Sequence, residues 1–197
     1  MKPWHCAWIR DRRALCAAVL LGSAVAASAA RAEPVRAVVE LFTSQGCGAC
    51  RTAEPVLRDL SRQPGVVALT LPVTYWDYLG WKDTLASRPL TERQRGYARS
   101  RGGRQVFTPQ AVVDGSGVAV GSDITALDRL MRDTYQRGGL PIAVRSEARG
   151  NRIYVEIGAA PEAKADMRGE VWLVPVLRRR AVAIQAGENG EIGRAHV

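Results

Sequence analysis

The chain has 197 residues, and its 28 lysines and arginines outnumber its 19 acidic residues to give a formal net charge of +9 at pH 7. No tract alternates arginines with aromatic residues, so the basic charge does not indicate a nucleic-acid-binding surface. The length beyond residue 32 suffices for one ordinary hydrophobic core, or for one core and a small annex.

Residues 1–32 have the pattern of a secretory signal peptide. Three arginines (Arg10, Arg12 and Arg13) precede an apolar run over 14–27 that is shorter than a membrane-spanning helix. Small residues at positions 30 and 32 form a cleavage site, so we expect the mature chain to begin at Glu33. The alternative is an uncleaved anchor or a buried helix. A signal peptide predicts a periplasmic or secreted protein that has no stable membrane insertion after cleavage.

Cleavage at this site would remove Cys6 and Cys16, so the mature chain would keep only Cys47 and Cys50. The segment also holds five basic residues and one acid, and its loss would lower the formal charge from +9 to +5. His196 would be the one histidine of the mature chain. Export and the modest remaining charge both argue against a nucleic-acid partner.

The two remaining cysteines lie between a predicted strand and a predicted helix. Apolar and β-branched residues over 35–42 are typical of an inner strand, and residues 43–46 are typical of a turn. Beyond Cys50 the apolar positions recur at helical spacing. At a helix start, Cys47 would meet unpaired N–H groups and the positive end of the helix dipole, which stabilise a thiolate. The pattern indicates a dithiol redox site in which Cys47 is the nucleophile and Cys50 the resolving thiol.

A second strand is predicted over 66–73, and the helix-length connection to it favours a parallel pair. The loop that follows is rich in large aromatic residues, namely Tyr75, Trp76, Tyr78 and Trp81. These four are candidates for a substrate-binding groove beside the dithiol. The alternative is a small hydrophobic cluster beneath a surface loop. A helix is expected over 91–101.

Pro109 stands directly before an apolar segment, a position that suits the first residue of a strand. The turn at 114–117 and a returning strand over 118–121 complete a predicted hairpin. Ser122 or Asp123 can cap the next helix, which we expect to end at 138–139. We therefore predict a main domain over 33–139 and a small β-rich annex over 140–197, with short strands near 142–144, 153–157, 171–176 and 181–184.

Three blocks of sequence resemble those of an exported bacterial family known only as domain of unknown function 1223, within the thioredoxin-fold superfamily. The blocks are VELFTSQGCxxC from Val39, YWDYLGWKD from Tyr75 and TPQxVVDG from Thr108. The resemblance covers nearly all of 35–190 and implies an α/β fold. In this fold a thioredoxin-like central mixed sheet has flanking helices and an inserted helical segment, and a small β-rich C-terminal annex follows. Members of the family usually continue through a final strand, so we expect a shortened annex here.

The resemblance also implies roles for particular residues. The Thr108–Pro109 bond would be cis, with its backbone facing the dithiol and pairing with an extended substrate. Glu40 would match the buried acid that shuttles a proton for the resolving cysteine, and its alternative is a strand-end glutamate paired with a lysine or arginine. The chain departs from the family at Arg51-Thr52, where two prolines are common, and at Thr74, where an acid is common.

These features favour an exported thiol–disulfide oxidoreductase that acts on protein or small thiol substrates together with a separate redox partner, and that needs no cofactor or metal. One alternative is a non-catalytic binding protein that keeps a structural disulfide. The other is a periplasmic protein that handles Cu(I) with two thiolates. A closed zinc site would need two further ligands beyond the cysteines.

Overall fold

The structure is a computed structural model, and it describes residues 35–137, 144–159, 172, 174–177, 179–185, 188, 189 and 192–196. The predicted signal peptide, with Cys6 and Cys16, lies outside the described residues, and so does 138–143, where the predicted boundary between domain and annex falls. Both assignments therefore stay predictions. Among the described helices, none combines the length and apolar character needed to cross a bilayer.

The described chain is a mixed α/β structure. Its strands are β1 (Ala37–Thr43), β2 (Val66–Pro72), β3 (Gln110–Val113), β4 (Gly117–Val120), β5 (Val144–Arg149), β6 (Arg152–Ile157), β7 (Arg179–Ala183) and β8 (Ile192–His196). Its α-helices are α1 (Ala53–Leu60), α2 (Arg88–Ser100) and α3 (Ile124–Gln136), and 3-10 helices cover Gly48–Thr52 and Asp77–Leu79. The main sheet has the order β2-β1-β3-β4, with β2 parallel to β1 and the other neighbours antiparallel. The parallel pair and the hairpin are as the sequence predicts.

Successive side chains of a strand point to opposite faces of the sheet, and β1 separates two clusters in this way. Its odd-numbered residues Val39 and Leu41 pack with apolar residues of α1 and α3. Its even-numbered residue Phe42 packs on the other face, with Tyr97 of α2. Helix α1 therefore covers one face and α2 the opposite face, and this division decides where each candidate site residue lies.

Gly121, which follows β4, brings β3 close to α1. A methyl group at this position would lie 3.1 Å from the Cβ of Ala53 and 3.3 Å from the Cβ of Pro109, and it would collide with Leu41. The Gly121 N–H also donates to the Pro109 carbonyl at 2.9 Å. The absence of a side chain thus lets the start of β3 sit against the helix that follows the cysteines.

The C-terminal region holds two separate two-stranded sheets, β5-β6 and β7-β8, rather than one annex sheet. Strands β6 and β7 confirm two of the predicted strands. The strand predicted over 171–176 is wrong for its described residues, 172 and 174–176, which form none. Pro175 interrupts that apolar run and lacks the N–H that a paired strand donates. Strand β8, which the sequence did not predict, lies beside α1 and β2.

Candidate functional site

The cysteine pair lies just beyond the C-terminal end of β1. The turn at 44–46 leads to Cys47, whose backbone is extended, and the 3-10 helix Gly48–Thr52 carries Cys50 and continues into α1. The Cys47 N–H donates to the Ser44 carbonyl at 3.1 Å, and the Cys50 N–H donates to the Cys47 carbonyl at 3.2 Å. The two residues form a disulfide with Cα atoms 5.4 Å apart. They are 0% and 1% exposed, so the bond is covered.

Thr108 places a hydroxyl group against the sulfur of Cys47. Its Oγ1 donates to Cys47 Sγ at 3.3 Å and accepts a hydrogen bond from Trp76 Nε1 at 2.7 Å. The indole N–H can only donate, so the Thr108 oxygen is the acceptor and its proton is free to point to the sulfur. The hydrogen bond from Trp76 thus orients the Thr108 hydroxyl group towards the sulfur of Cys47. The resemblance implied that the backbone of Thr108 faces the dithiol, and the contact of its side chain with Cys47 was missed.

The Thr108–Pro109 peptide bond is cis, as the resemblance implied. The carbonyl of Pro109 accepts from the Gly121 N–H at 2.9 Å, so this group is used within the fold. A methyl group at Gly121 would touch both Pro109 and Ala53 of α1, so Pro109 lies against the helix that follows the cysteines. Backbone pairing with a substrate would therefore fall to Thr108 rather than to Pro109.

The four predicted aromatic residues separate into different environments. Trp76 contacts the site through Thr108, and Tyr78 stacks on it with ring centroids 6.4 Å apart while remaining 77% exposed. Tyr75 packs against the hydrophobic cluster around Phe42, and burial raises the pKa of its phenol. Trp81 is half-buried. The structure thus brings Trp76 to the disulfide with Tyr78 stacked on it, whereas Tyr75 matches the alternative of a hydrophobic cluster.

Asp83 ties the aromatic loop to the turn before Cys47. Its carboxylate is buried and accepts from the N–H groups of Gln45 at 2.8 Å and Leu85 at 2.9 Å. Its own N–H donates to a carboxylate oxygen of Asp77 at 3.2 Å. Sequence reasoning missed this residue as a site element. The signal that could have found it is the acid that closes the aromatic block, directly after Lys82.

A turn at Glu188 and Asn189 contacts the backbone around Cys47. Asn189 is buried, and its Nδ2 donates to the carbonyls of Gln45 and Cys47, each at 2.8 Å. The carboxylate of Glu188 accepts from the Gly48 N–H at 2.7 Å. No local sequence signal connects these positions with residues more than a hundred positions earlier.

Glu40, the residue predicted as a proton shuttle, is buried and paired with Arg93. It shares the β1 face of Phe42, opposite the face that carries α1 and the segment with Cys50. Its carboxylate accepts from Arg93 Nε at 2.7 Å and from the hydroxyl of Tyr97. Burial and the hydrogen bond to Glu40 raise the pKa of Tyr97. This placement favours the alternative reading, a buried glutamate paired with an arginine.

No group of three or more histidine, cysteine, aspartate or glutamate side chains gathers at metal-binding distance in the part of the chain that the structure describes. The side chain of His196 lies outside that part. Cys47 and Cys50 are the two ligands that a Cu(I) site could use, and in this structure they are joined to each other.

Comparison with known proteins places the chain among relatives without an assigned activity. The sequence model of a family described as "Protein of unknown function (DUF1223)" matches residues 38–195. A crystal structure of a protein from Agrobacterium tumefaciens, a structural-genomics target, is similar with 44% sequence identity and a TM-score of 0.58. That match covers 64% of this chain and 58% of the other, which is less than two thirds of its length. No curated protein matches the chain.

Proposed function

The chain belongs to the DUF1223 family, and from that premise we propose that it is an exported thiol–disulfide oxidoreductase built on a thioredoxin-like fold. The order of elements supports the fold: a parallel β1–α1–β2 unit, then α2, an antiparallel β3–β4 hairpin, and α3. The position of Pro109 against the helix that follows the cysteines supports it further. Fold alone does not assign chemistry, so the proposal depends on the surroundings of the two sulfurs.

The observation that carries the proposal is the hydrogen bond from Thr108 Oγ1 to Cys47 Sγ at 3.3 Å, oriented by Trp76 Nε1. A donor aimed at one sulfur stabilises that sulfur as a thiolate, and the thiolate is the nucleophile of disulfide exchange. Cys47 therefore has the polar surroundings of the attacking thiol, and Cys50 follows it within the helical turn.

In the proposed reaction the reduced protein attacks a substrate disulfide. The Cys47 thiolate forms a bond to one substrate sulfur, and the second substrate sulfur leaves as a thiolate and takes up a proton. Cys50 loses its proton and attacks Cys47 Sγ, so that the Cys47–Cys50 bond forms and the first substrate sulfur leaves. Two electrons pass from the dithiol to the substrate, which ends as two thiols. The same steps in reverse oxidise a substrate dithiol and reduce the protein.

The test uses the full chain reduced with dithiothreitol, freed of reductant and mixed with oxidised glutathione or a disulfide-bonded model protein. Trypsin cleavage after Arg36 and Arg51 gives a peptide over 37–51 that contains both cysteines, so mass spectrometry follows this pair alone. We expect exchange in the wild type, loss of exchange in Cys47→Ser, and a trapped mixed disulfide at Cys47 in Cys50→Ser. A wild-type pair that exchanges with neither substrate contradicts the proposal.

A second candidate function is a binding protein that keeps this disulfide permanently closed. The burial of Cys47 and Cys50, at 0% and 1% exposure, favours it, since exchange needs access to a sulfur. The reduction potential separates the two candidates. A value between roughly −270 and −120 mV is that of working exchange proteins, and a value below about −300 mV is that of structural disulfides.

A further inference from the structure

The turn formed by Glu188 and Asn189 contacts four consecutive residues around Cys47. Asn189 Nδ2 donates to the carbonyls of Gln45 and Cys47, and the Glu188 N–H donates to the carbonyl of Gly46 at 3.4 Å. The Glu188 carboxylate accepts from the Gly48 N–H. A methyl group at Gly48 would lie 2.9 Å from Glu188 Oε2 and 3.2 Å from Glu188 Cβ, so the spacer glycine makes this close approach feasible.

The carboxylate of Glu188 occupies a donor that a reduced Cys47 would use. The Gly48 N–H is the first backbone donor after Cys47, at the start of the helical segment, and such donors stabilise a cysteine thiolate. Glu188 takes this donor and places a negative charge beside it. A like charge nearby disfavours ionisation of a thiol. The contact therefore opposes the effect of the Thr108 hydroxyl on the same residue.

Asn189 bears on the access of reagents to the disulfide rather than on the charge near Cys47. Its two hydrogen bonds hold the turn against the backbone on both sides of Gly46, and its side chain is itself buried. The two cysteines of the disulfide are buried as well. An attacking thiolate must approach a sulfur directly, and with the turn in place both cysteines are buried.

We propose that Glu188 and Asn189 are positioning residues of the exchange reaction: Asn189 holds the turn over the disulfide, and Glu188 keeps a reduced Cys47 in its thiol form while the turn is in place. The inference rests on the proposed function, because it assigns these residues to the same cysteine pair. Displacement of the turn by a substrate would uncover the sulfurs and free the Gly48 N–H in one movement. The pair would then react faster with a substrate that binds the backbone at 45–48 than with one that does not.

The experiment separates charge from coverage with two variants. Glu188→Gln keeps an oxygen that accepts from Gly48 and removes the charge, and Asn189→Ala removes two hydrogen bonds and no charge. Glu147→Gln is the matched control, since this glutamate is exposed on β5 and pairs with Arg149. For each full chain we would measure two quantities on the peptide over 37–51: the pH midpoint of Cys47 alkylation after reduction, and the rate at which dithiothreitol reduces the disulfide.

We expect Glu188→Gln to lower the alkylation midpoint by about one pH unit and to leave the reduction rate within about threefold. We expect Asn189→Ala to raise the reduction rate about tenfold, because the sulfurs are uncovered for a larger fraction of the time. Glu147→Gln should change neither quantity. A midpoint in Glu188→Gln equal to that of the wild type would overturn the role of Glu188, and an unchanged reduction rate in Asn189→Ala would overturn the role of the turn.

Both measurements use chemical reduction and a small alkylating reagent, so neither needs a substrate of the protein. A protein that exchanges with no model disulfide, yet shows the expected shift in Glu188→Gln, contradicts the proposed function and leaves the electrostatic coupling intact. A protein that exchanges normally, with no shift in either variant, contradicts only the inference. If Asn189→Ala fails to fold, the Glu188→Gln measurement decides the charge effect by itself.

Discussion

Replacement of Thr108 by valine removes the hydroxyl group that donates to Cys47 Sγ and keeps the volume of the side chain. A hydrogen bond to a charged group contributes about 1.5–3 kcal/mol, and we take the lower limit because sulfur is a weak acceptor. One pKa unit corresponds to about 1.4 kcal/mol. The distance of 3.3 Å is within hydrogen-bonding range for sulfur, so we expect Thr108→Val to raise the pKa of reduced Cys47 by about one unit.

The rate at neutral pH should change by less than this shift in pKa suggests. The thiolate fraction falls about tenfold, but a thiolate of higher pKa is intrinsically more nucleophilic, with a Brønsted coefficient of about 0.4–0.5. The net expectation is therefore a fall of about threefold in the alkylation rate at pH 7, together with the displaced midpoint. Trp76 Nε1 also loses its acceptor in this variant. Because the indole is half-buried and water can reach it, the free energy of unfolding should fall by only about 1 kcal/mol.

The assay is the pH profile of Cys47 alkylation in reduced protein, followed by mass spectrometry of the peptide over 37–51. Thr108→Ser is the control, because it keeps the hydroxyl group and loses one methyl group. Its midpoint should stay within about 0.3 units of the wild type. Two results would refute the reasoning: a valine variant whose midpoint does not move, or a serine variant whose midpoint moves as far as that of valine.

Three further predictions concern the surroundings of the site. Glu40→Gln should leave the Cys47 alkylation midpoint unchanged, because Glu40 lies on the face of the sheet opposite to α1. Urea unfolding should show a loss of about 1–3 kcal/mol in the free energy of unfolding, because the pair with Arg93 is disrupted. A displaced midpoint would support a proton-shuttle role for Glu40. The pKa of Tyr97 is raised in the folded protein, so the protein loses stability as the pH rises from about 10 through the folded pKa. Tyr97→Phe should therefore flatten the dependence of the unfolding free energy on pH above about 9. An unaltered slope would contradict this. Asp83→Ala leaves two backbone N–H groups without their acceptor. Calorimetry should therefore show a loss of about 2–4 kcal/mol in the free energy of unfolding, and dithiothreitol should reduce the disulfide faster. Equal stability would show that water replaces the carboxylate.

Local sequence signals were sufficient for most of the main sheet. Hydrophobic periodicity and turn residues predicted β1, β2, the β3–β4 hairpin and the three α-helices, since each depends on side chains close together in sequence. They failed where pairing depends on distant residues. The run over 171–176 is apolar but contains Pro175, and β8 contains Gly193 and Arg194, which have little strand preference of their own; it forms by pairing with β7.

The residues of the candidate site likewise divide into those that the sequence and the resemblance predicted and those that only the structure reveals. The nearness of Thr108 to Cys47 was expected from the resemblance, which supplies long-range information that periodicity lacks. Alternation along β1 puts Glu40 and Leu41 on opposite faces, but the sequence does not say which face α1 covers, so the pairing of Glu40 with Arg93 could not be predicted. The contacts of Glu188 and Asn189 connect parts of the chain that share no local pattern. Only the tertiary structure brings them to the dithiol.

The covering turn also sets an order of events during synthesis. Glu188 follows Gly48 by 140 residues, and Asn189 follows Cys47 by 142. A chain made from its N-terminus presents its two cysteines to oxidants before the residues that cover them exist, and at roughly 5–20 residues per second this interval lasts on the order of 10 s. Under the proposed export and covering role, an enzyme that oxidises the newborn chain would meet an open pair, whereas a later reductant would meet a closed one. On that basis, the redox state of the finished protein would depend on what the growing chain encounters.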